Sequence, residues 1–183
     1  MNPKISEKPW GNIAVRNKAL SLLEKARAFG DGPVRMSRIL DTIGLQYSEF
    51  TPDRDTQLIL GAISHKEKTI YINGEETEAS KHMTLAHEIG HAVLHPKECL
   101  IDFRATTQDH LTAEEKIKER EANVFAHELV MPYPEFVRIY KLFKGGVEEI
   151  AAHFLVPTKN VLKRIEFLKK QIDSNRIDNF LDV

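Results

Sequence analysis

The amino-acid sequence predicts an α+β fold in which helices pack a small antiparallel sheet and a helical part follows at the C-terminal end. The sheet is indicated by residues 58–64 and 69–73, which flank a short polar turn as in a hairpin; β-branched and aromatic side chains dominate residues 69–73. The helices are indicated by apolar residues three or four positions apart on both sides of that hairpin. A length of 183 residues fits one domain, which we expect to comprise a core of residues 1–132 and a helical part of residues 133–183 packed on it.

Two helices and one strand are predicted before the hairpin. Apolar residues at helical spacing predict a helix over residues 12–29, which the Gly- and Pro-rich segment 30–33 ends. A shorter helix follows over residues 34–43, and residues 45–50 form a candidate strand.

Helices dominate after the hairpin. Thr112 and Glu115 form a capping box, because each side chain can bond to the other residue's backbone N–H, and a helix from there should reach about residue 130. Residues 97–111 have no strong periodicity and predict a connector. The other predicted helices cover residues 78–94, 134–143, 147–154 and 158–172.

Composition and charge argue against several classes of protein. Apolar residues make up 42% and charged residues 29% of the chain, and the net charge of −1 gives no general attraction to nucleic acid or anionic membranes. The single cysteine, Cys99, rules out an internal disulfide and fits a reducing compartment. No apolar run approaches the ~18 residues of a membrane span, and the N-terminal residues lack the apolar segment of a signal peptide. We therefore expect a cytoplasmic protein that does not enter membranes.

The segment from His87 to His91, which reads His-Glu-Ile-Gly-His, is the most informative part of the sequence. Two histidines four residues apart lie on one face of a helix, about one turn from each other, so both rings can bind one metal ion. Glu88 lies beside them, where its carboxylate can act on a water at the metal. His95 is one turn further along, and three successive histidines are too spread out for one ion. We expect His95 to support the site rather than bind the metal.

An apolar stripe supports the interpretation of this segment as a zincin-like metal helix. Its members follow the spacing of a face that packs on a core, and the 100° step per residue places that face opposite the two histidines. The helix can therefore bury one face and present the histidines on the other. The stripe consists of Leu85, Ile89, Ala92 and Val93.

A third ligand must come from elsewhere in the chain, because catalytic zinc usually has three protein ligands. The metzincin spacing is excluded, since Leu94 and Lys97 occupy the positions that would need glycine and histidine. The helix beginning at Thr112 offers Glu119 and Glu121, and only one of them can face the metal. Small neighbours on its stripe favour Glu119 but leave both candidates open, and Asn123, one turn on, can orient a ligand.

Three blocks of the sequence, in this order, resemble the ImmA/IrrE family of metallo-endopeptidases. Residues 61–73 look like the family's hairpin, residues 84–95 are very close to its metal helix, and residues 119–132 resemble its second signature. His127 stands where a small residue is usual, and Val130 where leucine is usual. The resemblance extends over about residues 15–172 and is far more specific than the His-Glu-x-x-His motif alone.

The resemblance implies a gluzincin-like zinc site. His87, His91 and Glu119 would bind Zn²⁺, and Glu88 would be the general base for the attacking water. Relatives commonly cleave or derepress a helix-turn-helix transcriptional repressor, and some are encoded beside an antitoxin-like partner. We therefore expect a zinc-dependent endopeptidase whose protein substrate is a helix-turn-helix repressor encoded nearby.

Two features of the catalytic cleft stay open at the level of sequence. A donor that stabilises the oxyanion is expected, and the residue type alone does not choose among Tyr71, Tyr133, His127 and His153. Residues 69–73 are a candidate free edge of the sheet, to which an extended substrate can add as another strand; a simple packing hairpin explains them equally well.

Two other functions compete with proteolysis. Residues 148–165 have helix-turn-helix-like spacing, and Thr158, Lys159, Asn160 and Lys163 could face a DNA groove; the acidic start of this segment and the neutral chain argue against direct nucleic-acid binding. Alternatively, the protein keeps the zinc fold but acts as a regulator or toxin by binding a partner without cleaving it.

Overall fold

The computed structural model describes residues 12–96, 101–105, 111–173 and 179–181 of the chain. These segments contain four strands and seven helices in an α+β arrangement, which confirms the predicted fold class. In chain order the elements are α1 (Asn12–Ala26), α2 (Met36–Ile43), β1 (Gln46–Phe50), β2 (Ile59–Ser64), β3 (Thr69–Asn73), α3 (Glu78–Leu94), β4 (Ile101–Ala105), α4 (Ala113–Val130), α5 (Tyr133–Leu142), α6 (Val147–Phe154) and α7 (Thr158–Asp173).

The four strands form one sheet in the order β1-β3-β2-β4. The hairpin of β2 and β3 is antiparallel as predicted, and β4 pairs antiparallel with the other side of β2. β1, however, lies parallel to β3, so the sheet is mixed rather than antiparallel. The burial pattern explains this order, because β3 is mostly buried and takes an interior position, whereas β1 is mostly exposed and tolerates an edge.

Two expectations for the sheet are therefore wrong. Residues 69–73 are not a free edge, since β3 bonds to a strand on each side. The supposed connector 97–111 contains β4, whose backbone pairs with β2. Local periodicity misses β4 because its partner lies some 40 residues earlier in the chain, and the pairing between distant segments is a tertiary interaction.

The two long central helices begin at the caps that the sequence encodes. The Thr77 side chain accepts the backbone N–H of Ser80 at the start of α3. At the start of α4, the backbone N–H of Thr112 donates to the Glu115 carboxylate (2.7 Å) and the Glu115 N–H donates to the Thr112 hydroxyl (3.2 Å). The predicted capping box is confirmed, and it fixes the register of every functional residue on α4.

Helix α3 is surrounded by the rest of the fold. Every residue from Met83 to His91 is buried, so the histidine face is not presented to solvent as the sequence suggested. The sheet covers one side of α3, and α4 packs closely against the other. The periodicity correctly identifies an apolar face but cannot show that a second helix covers the polar face.

A buried ion pair joins α4 to the C-terminal helix α7. The Arg164 guanidinium donates to Glu128 Oε2 at 2.7 Å, and both side chains are almost inaccessible to solvent. Arg16 of α1 donates to the same oxygen at 2.9 Å, and the Tyr133 backbone N–H donates to Glu128 Oε1. Burial alone would raise the pKa of Glu128, but the two arginines hold it below its usual value. The carboxylate thus ties three helices together.

One hydrophobic core includes residues from both expected parts of the chain. Buried side chains of α1, α3 and α4 belong to the same cluster as Phe136, Ile150, Phe154 and Val161 of the last three helices. The division at residue 132 remains a prediction. None of the helices in the described segments combines the length and hydrophobicity that crossing a membrane requires.

Replacing Arg164 by methionine should lower the free energy of unfolding by about 3 kcal/mol, because it leaves part of the Glu128 charge buried without its closest partner. Urea unfolding followed by circular dichroism measures the change. Lys170→Met on the same helix is a suitable control, since its pair with Glu166 is exposed and its loss should leave the midpoint nearly unchanged. Equal effects of the two substitutions would show that the buried pair does not stabilise the fold.

Candidate metal centre

Three side chains from α3 and α4 converge on one point. His87 Nε2 and His91 Nε2 are 2.9 Å apart. The Glu119 carboxylate reaches both rings, with Oε2 at 3.3 Å from His87 Nε2 and Oε1 at 3.0 Å from His91 Nε2. His87 is fully buried and His91 is 5% exposed. Among the described residues, these three form a group able to hold a metal ion.

The distances fit a metal ion bound by two imidazoles and a carboxylate. Bonds of about 2.0–2.2 Å in a tetrahedral arrangement place neighbouring ligand atoms roughly 3.3 Å apart. The three observed separations of 2.9, 3.0 and 3.3 Å are close to that value. The donor set is also that of known catalytic sites with two histidines and one glutamate. The cluster can therefore hold a metal, as the histidine spacing predicts.

The close crossing of α3 and α4 at Gly90 brings the carboxylate to the histidines. A Cβ atom at Gly90 would lie 3.2 Å from both the Cα and the backbone oxygen of Ala122, which is tighter than most real contacts. Glu119 is one helical turn before Ala122 on α4, so the separation of the helices sets its reach. The small residues Gly90 and Ala122 at this crossing are therefore needed for Glu119 to reach the histidines.

Asn123 orients His87. Its side-chain oxygen lies 3.2 Å from His87 Nδ1 and can only accept a hydrogen bond, so Nδ1 carries the proton and donates. The unprotonated Nε2 of His87 then points its lone pair toward His91 and Glu119, which is the tautomer that binds a metal. The structure thus places Asn123 where the sequence analysis expected a residue that positions a ligand.

Glu88 lies between α3 and the sheet, with 1% of its surface exposed. The β2 strand passes directly over it at Gly61. A Cβ at Gly61 would lie 2.8 Å from Thr84 Cγ2 and 3.4 Å from Glu88 Cγ. A side chain at position 61 would therefore collide with α3, and the absence of one leaves room for the Glu88 side chain.

The charge state of Glu119 suits a metal ligand. Burial raises the pKa of its carboxyl group, but when His87 and His91 are protonated their hydrogen bonds and positive charge outweigh that effect and hold the pKa well below the usual value; a metal ion would take the place of those protons. The group is ionised at neutral pH and ready to accept a cation.

The other glutamate candidate lies away from the cluster. Glu121 is buried, and its Oε2 is 3.5 Å from His95 Nε2. The His95 ring is also 5.8 Å from that of His91, measured between centroids. The structure therefore brings Glu119 to the two metal-facing histidines, and it pairs Glu121 with His95 behind them.

Of the four candidate oxyanion donors, His127 lines both cavities described below. Its Nδ1 donates to the backbone oxygen of Asn123 at 2.8 Å, and its Nε2 accepts from the Asn160 amide at 3.4 Å. The other three make contacts elsewhere. Tyr71 donates to Glu67, the Tyr133 ring packs on Phe180, and His153 lies 3.7 Å from Glu135.

Two cavities meet at the side of the centre and share Asn123, His127 and Lys163. The first has a volume of about 320 Å³ and is also lined by Glu119. The second has a volume of about 420 Å³ and is also lined by Thr84. Asn160, which the sequence analysis placed in a possible DNA groove, is buried in the wall of the second cavity.

The sequence predicted the histidine pair and, from the small residues on the Glu119 stripe, the close approach of α4 to α3 at Ala122. It did not identify Gly61, which carries no chemistry and whose importance appears only in its close packing against α3. A glycine inside a predicted strand was the available signal for Gly61.

Comparisons with known proteins agree with this geometry. The sequence model of the peptidase M78 family, described as an IrrE N-terminal-like domain, matches residues 48–166. The fold is similar to a solved structure titled Mycobacterium tuberculosis transcriptional regulator, with a TM-score of 0.59 and 15% sequence identity. That match covers 85% of this chain but 46% of the other, so this chain spans less than half of that protein's length. No significant match is found among curated protein sequences.

The choice between the two glutamates can be tested by metal titration. Glu119→Gln should weaken Zn²⁺ or Co²⁺ binding by more than the ~10–100-fold typical of losing a residue that merely orients a ligand. Glu121→Gln should retain binding close to wild type. Isothermal titration of both variants, with circular dichroism to confirm folding, decides the matter. Loss of metal in Glu121→Gln alone would contradict the assignment.

The helix crossing gives a second prediction. Gly-to-Ala changes inside helices usually stabilise them by about 1 kcal/mol, but Gly90→Ala should weaken metal binding about tenfold, because α4 must move away and carry Glu119 with it. Gly90→Ser, with a larger side chain, should be worse. Titration with Co²⁺ followed by absorbance measures both. An Ala variant that is more stable and binds metal normally would show that α3 and α4 accommodate a side chain at position 90 without displacing Glu119.

Proposed function

The chain belongs to the peptidase M78 family, and from that premise we propose that it is a zinc-dependent endopeptidase that cleaves, and thereby inactivates, a helix-turn-helix transcriptional repressor or an antitoxin-like partner. One observation carries the peptidase part of the proposal. Glu88, which is buried, directly follows His87 on α3, and His87, His91 and Glu119 form a cluster that can hold a metal ion. A purely structural metal site needs no such extra carboxylate.

Each residue of the centre has a defined task in this reaction. His87, His91 and Glu119 would hold zinc, which when bound supplies Lewis acidity toward the scissile carbonyl and the attacking water. The Glu88 carboxylate takes a proton from that water while the oxygen of the water forms a bond to the carbonyl carbon. It then gives the proton to the amide nitrogen as the C–N bond breaks, so the products are a carboxylate and an amine.

The packing around Glu88 favours proton transfer. The sheet at Gly61 and the body of α3 exclude bulk water from the carboxylate. Asn123 holds His87 in the tautomer whose Nε2 faces the metal position. A carboxylate in such a dry and fixed position exchanges protons with one water rather than with solvent.

We propose that the substrate binds as an extended strand along the outer edge of β4. β2 crosses over Glu88 at Gly61, and β4 is the neighbour of β2 on the side away from β3. A peptide that adds there would use backbone hydrogen bonds to fix its register. The edge of β4 is proposed in place of an edge of β3, because β3 is paired with β1 on one side and with β2 on the other.

A repressor as partner is supported by the family resemblance, and the similar solved structure is described as a transcriptional regulator. A location in the cytoplasm, where such repressors act, remains part of the same proposal.

The decisive variant is Glu88→Gln. It removes the proton acceptor but none of the proposed ligands, so the Zn²⁺ stoichiometry should equal that of the wild type. The cleavage rate should fall at least 10³-fold, which is in the upper part of the range for losing a general base. The assay mixes zinc-loaded protein with the helix-turn-helix repressor encoded beside its gene and follows fragments by mass spectrometry. Glu78→Gln, on the exposed start of α3, is the matched control and should cleave normally.

Two outcomes would overturn parts of this proposal. Repressor inactivation that survives in Glu88→Gln would mean that the protein acts by binding rather than cleavage. An intact repressor with wild-type protein, with and without chelator, would exclude the repressor as substrate.

A further inference from the structure

One face of α4 carries the metal site together with cationic side chains. Lys116, Glu119, Arg120, Asn123 and His127 follow one another at spacings of one, three or four residues and lie on the same side of the helix. All five line the cavity of about 320 Å³. At 1.5 Å per residue, this face extends about 16 Å, which is the length of roughly five residues of an extended peptide.

Helix α7 forms the opposite wall. Lys163 and Phe167 are one turn apart on it and line the same cavity, together with Val124 of α4. Phe167 and Val124 are half-buried, whereas Lys163 is exposed. The cavity thus has an apolar floor and ammonium and guanidinium groups around its mouth.

The positive charge of this cavity is not compensated by the protein. Lys116, Arg120 and Lys163 make no ion pair with any residue in the described part of the chain. Arg164 also contributes to the wall, but Glu128 neutralises it at 2.7 Å. Among the lining residues the single carboxylate is Glu119, which faces His87 and His91.

This local charge contrasts with a chain whose net charge is −1. Lysines on exposed helix faces are commonly just solvated. Here they come from two different helices, surround a concave apolar surface and adjoin a metal-site residue. Low-dielectric walls concentrate the field of such charges and raise the local concentration of an anionic ligand.

We propose that the cavity beside Glu119 is a specificity subsite that binds an acidic side chain of the peptide substrate, within about three residues of the cleaved bond. The apolar floor formed by Val124 and Phe167 takes the methylene groups, and Arg120 and Lys163 take the carboxylate. Lys116 adds to the attraction from the outer end. This inference rests on the proposed peptidase function and defines the class of sequence that it cleaves.

Cleavage profiling tests the subsite directly. The zinc-loaded protein is incubated with a degenerate library of nonapeptides, and the cleaved bonds are identified by mass spectrometry. Asp and Glu should be enriched about tenfold at one fixed position near the bond. In the double variant Arg120→Glu/Lys163→Glu the preference at that position should change to Lys and Arg.

The matched control is Lys169→Glu, another exposed lysine of α7 that does not line the cavity. It should leave the profile unchanged. A wild-type profile without an acidic preference, or a preference that the double variant retains, would overturn the proposal. Thermal melts of all variants confirm that they are folded.

A binding experiment separates the subsite from catalysis. Zinc-loaded Glu88→Gln protein is titrated against two peptide pools that carry a neutral dye and differ only in having Glu or Gln at the central position. The Glu pool should bind about tenfold more tightly, and the difference should vanish when Arg120→Gln and Lys163→Gln are added. Equal affinities would overturn the subsite. Tight acidic binding with no cleavage by wild type would support the subsite and contradict the peptidase function.

Discussion

The contact of Gly90 with the backbone of Ala122 is the constraint on which the functional centre depends. Any side chain at position 90 would force α3 and α4 apart, since its Cβ would already lie 3.2 Å from backbone atoms. The histidines are on one helix and Glu119 is on the other, so a shift of a few tenths of an ångström at the crossing is transmitted to the distances between ligand atoms. The helices are held at this separation because their interface is packed, and packed interfaces resist small deformations.

Burial of so many polar groups in one place needs a compensating interaction. His87 and Glu88 are essentially inaccessible, and removing a carboxylate from water costs several kcal/mol unless it is paired. Asn123 accepts a hydrogen bond from Nδ1 of His87. The lone pair on the other ring nitrogen of His87 points to the same place as a ring nitrogen of His91 and the carboxylate oxygens of Glu119. A divalent cation at that point would offset the desolvation of the cluster. Metal binding and folding should therefore stabilise each other.

The C-terminal helices contribute to the centre as well as to the core. The Glu128 carboxylate fixes α7 against α4 through Arg164, and this attachment holds Lys163 opposite the face of α4 that carries Glu119. His127 and Asn160 bridge the same two helices at the junction of the cavities. The segment that resembles a helix-turn-helix in sequence thus forms a wall of the cleft, and its amphipathic pattern reflects packing on α4.

Local chemistry in the sequence determined most helix limits to within a residue or two, the capping box at Thr112 and the pairing of His87 with His91, because these depend on residues within one or two turns of one another; the exceptions are α1, which ends at Ala26 rather than at residue 29, and the start of α2 at Met36 rather than at residue 34. The sequence favoured Glu119 over Glu121 from helical geometry, but only the tertiary structure brought that carboxylate to the histidines. The parallel placement of β1, the strand β4 and the cationic cavity also came from tertiary structure alone. Each of them depends on how segments far apart in the chain pack together, and neither periodicity nor residue type encodes which distant surfaces will meet.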